Sequence, residues 1–176
     1  MTTDKTSLGL EQVKKIAPYV GGRPISEVAR QFGLVENQII KLASNENPLG
    51  IPESAKAAMM AVMHDLGRYP DSNGFELKQV LAQKNQVPDT WITLGNGSND
   101  ILELATRSVA HGGSEIIFSQ HAFAVYPLAT QAVGAKAVVI APQAEDLGHD
   151  LDAMQRAITN NTKPVSYTHL TLPTKA

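Results

Sequence analysis

The residues best placed to do chemistry are Gly95-Asn96-Gly97-Ser98-Asn99-Asp100, a run of turn formers set between two apolar segments. The β-branched stretch 90–94 (TWITL) predicts a short strand before it. The stretch 100–110 (DILELATRSVA) predicts a helix after it, with Ile101, Leu104, Ala105 and Ser108 on one face. A strand, a glycine turn and a helix together can hold an anion. The first N–H groups of a helix have no partner within it and lie at the positive end of its dipole. On this reading the N–H groups of Gly97, Ser98 and Asn99 converge on one phosphate. Other phosphate motifs do not fit. Two glycines without a third do not make the dinucleotide fingerprint, and no Lys-Ser/Thr pair follows as in a P-loop. Ser98 and Asp100 also lack the G-x-S-x-G frame of a hydrolase nucleophile. A single phosphate suits a monophosphate cofactor better than a dinucleotide. The same residues also read as an ordinary helix cap.

Other reactive side chains offer less. The chain has no cysteine, which removes disulfides, thiolate catalysis and cysteine metal sites. His64, His111, His121, His149 and His169 show neither metal-ligand spacing nor an accompanying HExxH, so no metal site is expected.

The elements that must position the turn alternate along the chain. An arm (9–20) begins helically and stops at Pro18. Residues 24–34 predict a short helix with Pro24 at its start, Ser26 as N-cap and Gly33 as stop. Residues 38–44 (QIIKLAS) predict a strand running into the polar turn NENPLG. Helices are expected over 52–67 and 75–87, with the loop RYPDSNG between them. After the glycine turn come a strand at 114–120, a helix at 126–135, a strand at 136–142 and a helix at 150–159 capped by Asp150. Strands alternating with helices predict an α/β fold with a mainly parallel sheet.

Composition bounds the function. In 176 residues, 15 basic and 17 acidic side chains leave a net charge of -2, which gives no electrostatic footprint for nucleic acid or an anionic membrane. The charged N-terminus has no apolar signal core, and no apolar run approaches the roughly 18–20 residues of a membrane span. A cytoplasmic protein with small-molecule partners is the expectation.

Four segments, in order and spacing, resemble the fold-type I aminotransferases that use pyridoxal 5'-phosphate: SNENPLG (44–50), GRYPDSNGFELKQVLA (67–82), LGNGSNDILEL (94–104) and HAFAVYPLATQAVGA (121–135). Within them the pattern, including the arm APYVGGRPISEV, is most similar to the histidinol-phosphate aminotransferase branch. Threonine-phosphate decarboxylases and aromatic aminotransferases are the neighbouring alternatives, and a non-enzymatic phosphate-binding module or an inert fragment the remoter ones. The resemblance implies that Gly97, Ser98 and Asn99 form the cofactor's phosphate cup. It puts Phe123 over the pyridine ring, where relatives commonly have Tyr; stacking needs only a ring face. Tyr69 falls where a tyrosine reaches across a homodimer to the neighbouring subunit's cofactor phosphate. Tyr19, Asn45, Glu46 and Asn47 fall where the family lines its substrate pocket. The implied activity is amino transfer between L-histidinol phosphate and 2-oxoglutarate in histidine biosynthesis.

Amino transfer also needs a lysine that joins the cofactor covalently and shuttles the proton, an acidic partner for the pyridine nitrogen and an arginine for the donor carboxylate. The family carries these further along its chain, and Lys163 and Lys175 sit in no such motif. The expectation is therefore a front half that is inactive alone. It would comprise an arm and substrate-side segment (1–50), a partial cofactor-binding large domain (51–163) and a non-family tail (164–176). A parallel sheet that lacks its later strands leaves an open edge and uncovered apolar faces, so poor solubility and weak cooperativity are also expected.

Overall fold

The computed structural model describes residues 9–44 and 46–163. The chain divides into two compact units, one of residues 1–18 with 90–176 and one of residues 19–89.

In the first unit the core is a β-strand with helices packed on it. Helix α1 (Glu11–Lys14) lies in the arm, α5 (Ser98–Val109) follows the glycine turn, and β1 (Glu115–Ser119), α6 (Val125–Ala132), β2 (Lys136–Ile140) and α7 (Leu151–Arg156) complete the order. β1 and β2 pair in parallel, Glu115 opposite Lys136 and Ser119 opposite Ile140, joined through α6 as a β-α-β crossover. The apolar run Ile116-Ile117-Phe118 explains why β1 sits centrally. All three are buried, Ile117 completely, as a parallel strand covered on both faces requires. β2 alternates between exposed and half-buried positions, as an edge strand does. On the far side of β1, Glu115 N–H donates to Asn161 O (2.9 Å) and Lys163 N–H donates to Glu115 O (2.9 Å), a parallel bridge that continues the sheet. The α/β class and the parallel sheet agree with the sequence pattern.

Ile116, Phe118 and Tyr126 form the core cluster, with Leu102, Ala110, Ala122, Val125 and Ala135 against it. The face of α5 that packs is therefore the one carrying Leu102 and Ala110. Of the expected stripe, Leu104 is 54% exposed, and Ala105 and Ser108 are exposed as well. The helix has apolar residues on more than one side, and the position of β1 selects among them. Helix α1 packs on α6 of its own chain, where Gln131 Nε2 donates to Gln12 O (3.2 Å). Asp150 caps α7 as expected, its Oδ1 accepting the Ala153 N–H at 2.8 Å.

The second unit holds α2 (Ile25–Phe32), α3 (Glu53–Ala61) and α4 (Phe75–Asn85). Gly33 closes α2 in the left-handed region (φ 66°), as the sequence predicts. The N-cap of α2 is Pro24, so Ser26 lies inside the first turn rather than at the cap. Helix α3 gives way to a 3-10 turn at 63–65 instead of continuing to Gly67. His64 Nδ1 lies 2.9 Å from Ala61 O, and Asp65 N–H donates to Val62 O in place of the next α-helical bond.

Two expected strands are not formed. Residues 36–38 make a 3-10 turn and 39–44 run without a ladder; residues 89–91 make another 3-10 turn and 92–94 likewise run without a ladder. Both stretches are β-branched, but a strand exists only where a neighbour supplies its hydrogen bonds.

Candidate phosphate-binding site

The glycine turn is held by its own polar groups. Gly97 N–H donates to Gly95 O at 2.8 Å, which closes a three-residue turn centred on Asn96. Asp100, third residue of α5, reaches back: its Oδ2 accepts both the Asn96 N–H (2.9 Å) and Asn96 Nδ2 (3.1 Å). This is the backward bond of a capping box carried one residue further. Gly95 lies so close to the first turn of α5 that a Cβ would meet Asp100 Cβ and Ile101 Cδ1 at 3.0 Å. The N-cap of α5 is Gly97, at φ 90° and ψ 176°, a region that essentially only glycine occupies.

A glycine cap has no side chain to accept from the first helical turn, and no cap bond is made. The N–H groups of Ser98 and Asn99 therefore open α5 without an internal acceptor, whereas that of Gly97 is spent on Gly95. The expected three-donor cup is reduced to two donors, with Gly97 supplying the bend. These residues fit one phosphate group: two adjacent open N–H donors, exposed, at a helix N-terminus.

Phe123 lies in the same unit, between the end of β1 and the start of α6, its side chain about half exposed. α5 runs into β1 through the short turn at 110–114, and α6 leaves from the end of β1. α6 therefore starts at the carboxyl end of β1, the edge where open α/β folds place their ligands, and α5 packs against α6.

The other candidates lie in the second unit. Tyr69 is fully exposed in its loop, and Tyr19 is 60% exposed. Glu46 pairs with Lys41. Asn47 spends its amide on its own turn, Oδ1 accepting the Leu49 N–H and Nδ2 donating to Gly50 O, each at 3.0 Å. Asn45 lies outside the described residues, as do His169 and Lys175. Gly22 passes so near Ser44 that a Cβ would meet Ser44 Oγ at 2.7 Å, which draws the segment after Tyr19 to the 44–50 turn. Among the described residues, no group of three or more His, Asp or Glu is placed to hold a metal, and no helix is long and apolar enough to cross a membrane.

Asp100 holds this turn, a role outside the sequence expectations. The signal was there: an acidic residue at the third helical position is the mark of a capping box, but the usual Ser/Thr partner at the cap is here a glycine.

The fold and this turn define a class. The chain belongs to the DegT/DnrJ/EryC1/StrS aminotransferase family, whose pattern matches residues 53–171. Among individual proteins it is similar to histidinol-phosphate aminotransferase 1 of Cupriavidus pinatubonensis, with 57% identity over 97% of this chain and 45% of that protein. It is also similar to histidinol-phosphate aminotransferase 2 of Ralstonia nicotianae, with 59% identity over 94% of this chain and 44% of that protein. The chain thus spans somewhat under half the length of these curated relatives. Its fold matches the crystal structure of histidinol-phosphate aminotransferase from Sinorhizobium meliloti in complex with pyridoxal-5'-phosphate. The TM-score is 0.67 at 23% identity, over 85% of this chain and 40% of that one. An aminotransferase from Escherichia coli matches with a TM-score of 0.69 at 20% identity, over 89% of this chain and 41% of that one.

Proposed function

We propose that this chain supplies the phosphate-holding front part of a pyridoxal-phosphate aminotransferase that moves an amino group between L-histidinol phosphate and 2-oxoglutarate. The observation that carries the reading is the Gly97 bend, which opens α5 with the Ser98 and Asn99 N–H groups uncommitted. When bound, pyridoxal phosphate supplies the electron sink for amino transfer. Ser98 and Asn99 would hold its phosphate through backbone donors, Gly97 would set their direction, and Phe123 would cover one ring face. Tyr69 would serve the neighbouring subunit of a homodimer. Tyr19, Asn45, Glu46 and Asn47 would line the substrate side, Asn47 by shaping the turn through its own amide rather than by presenting it. The setting would be the cytoplasm. The covalent lysine, the pyridine-nitrogen partner and the donor-carboxylate arginine are assigned to the part of the family fold that this chain does not span.

Two charge-assisted hydrogen bonds contribute about 3–6 kcal/mol together, which corresponds to a dissociation constant from several millimolar to tens of micromolar. Binding should be weak and non-covalent. Titrating the chain with pyridoxal phosphate and, separately, with pyridoxal tests this. Only the phosphorylated compound should bind, and dialysis should remove it. Equal binding of the two, or a dialysis-resistant adduct fixed by borohydride at Lys163 or Lys175, would overturn the reading.

A further inference from the structure

The sequence contains two Asn-Gly pairs, Asn73–Gly74 and Asn96–Gly97. This dipeptide is chemically reactive because glycine has no Cβ to keep its backbone nitrogen away from the preceding carboxamide. The glycine nitrogen gives up its proton to water and attacks Asn Cγ, forming a new C–N bond. The side-chain amide nitrogen then leaves as ammonia, and a five-membered succinimide remains. Water opens that ring at one of its two carbonyls, yielding aspartate or isoaspartate. Overall, water enters and ammonia departs, with no oxidation or reduction.

The two pairs sit in different surroundings. Asn73 is exposed in the loop between α3 and α4. Asp71 brackets its backbone: the Asn73 N–H donates to Oδ1 (2.9 Å), the Phe75 N–H to Oδ2 (2.7 Å) and the Gly74 N–H to Asp71 O (3.1 Å). None of these bonds involves the carboxamide, which is free to turn onto the Gly74 nitrogen. Gly74, at φ 60°, already holds a bend that other residues resist. Among the described residues of this second unit, only Ala29 is buried, so little packing restrains the loop.

Asn96 is held at both ends. Its Nδ2 and its N–H converge on one oxygen, Asp100 Oδ2, which ties the carboxamide to the first turn of α5. Both glycine nitrogens have their proton in a hydrogen bond, Gly97 N–H to Gly95 O at 2.8 Å and Gly74 N–H to Asp71 O at 3.1 Å, so what separates the two sites is the carboxamide. Reaction at Asn96 requires its side chain to leave Asp100 first, a step that Asn73 does not face. We infer that Asn73–Gly74 is an intrinsic deamidation site of this chain, and that Asp100 holds Asn96–Gly97 out of the same reaction. The consequences differ. At Asn73 the product adds a carboxylate, and as isoaspartate an extra backbone methylene, four residues after Tyr69. At Asn96 it would put a second carboxylate beside Asp100 at the mouth of an anion-binding turn, so the clasp keeps that turn chemically intact.

Peptide mapping by mass spectrometry tests both halves without reference to any bound cofactor. The 176-residue chain is incubated at mildly alkaline pH, and the conversion of each asparagine is followed over time. Asn73 should convert, and Asn96 should lag by about tenfold or more, the factor one charge-assisted hydrogen bond provides. Asp100→Ala should bring Asn96 up to the rate of Asn73. Asp100→Asn keeps an oxygen acceptor and should give an intermediate rate, which separates loss of the clasp from loss of the fold. In urea the wild-type asparagines should react alike. Equal rates in native buffer, no conversion at Asn73, or an Asn96 rate unmoved by Asp100→Ala would each overturn the proposal.

Discussion

Replacing Gly97 by alanine separates the backbone conformation of the proposed phosphate turn from every other property of the site. Gly97 sits at φ 90° and ψ 176°, and a Cβ built on it meets nothing within 4 Å, so the substitution introduces no clash with neighbours. Its cost is conformational alone, about 1–3 kcal/mol for a residue forced into a glycine-only region. The chain can relieve that strain by rotating the turn, and the Ser98 and Asn99 N–H groups then lose their common direction. If the strain is relieved at the expense of binding, affinity for pyridoxal phosphate falls by roughly 5- to 150-fold, at about 1.4 kcal/mol per tenfold. Gly33→Ala is the control. Gly33 has φ 66° and equally open surroundings but ends α2 in the second unit, so it carries left-handed strain without the same role. Equilibrium dialysis should show weakened binding for Gly97→Ala and unchanged binding for Gly33→Ala. Unchanged binding in Gly97→Ala, or an equal loss in both, would refute the reasoning.

The chain incubated with L-histidinol phosphate and 2-oxoglutarate should form no product above the enzyme-free control; turnover that follows the protein through purification would contradict this. Hydrogen exchange should divide the molecule. Amides of β1 and α6, which surround the buried Ile116, Ile117, Phe118 and Ala129, should exchange slowest, and those of residues 19–89 should exchange fast. Uniform protection across both units would sink that division. Glu115 sets a pH dependence: its bond from Lys136 Nζ (2.8 Å) and then its bond from Thr159 Oγ1 (2.6 Å) hold its pKa below the ordinary carboxylate value. A depressed folded pKa means that its contribution is present above the unfolded value and is lost as pH falls through the folded one. Protection of β1 should therefore decline on acidification, and Glu115→Gln should flatten that decline; an unchanged acid profile in the variant would remove Glu115 as the cause.

Much of the first unit was legible because its signals are local and agree with one another. Ile116-Ile117-Phe118 between turn residues reads as a buried strand. Gly134 ends the following helix region in a left-handed turn, and Asp150 caps α7 where its type and spacing predict. The failures share a cause. Residues 38–44 and 90–94 have strand-like composition, but strand formation is decided by a neighbour that no local pattern encodes. Which face of α5 packs is decided in the same way, since Leu102 and Leu104 are equally apolar and only the position of β1 chooses between them. At the glycine turn before α5 the residue types were sufficient to find the bend. They could not reveal that the Gly97 N–H turns inward to Gly95 O, because that follows from the backbone torsions of Asn96, which residue type does not dictate.

The most direct test of the central claim is to watch the two open donors themselves. In an amide nitrogen–proton correlation spectrum of the isotope-labelled chain, adding pyridoxal phosphate should move the Ser98 and Asn99 signals in a saturable way. The Asn96 amide, tied to Asp100, should move less, and pyridoxal without its phosphate should leave Ser98 and Asn99 where they are. Saturable shifts that fall elsewhere, or that pyridoxal reproduces, would contradict the assignment of this turn to the cofactor's phosphate.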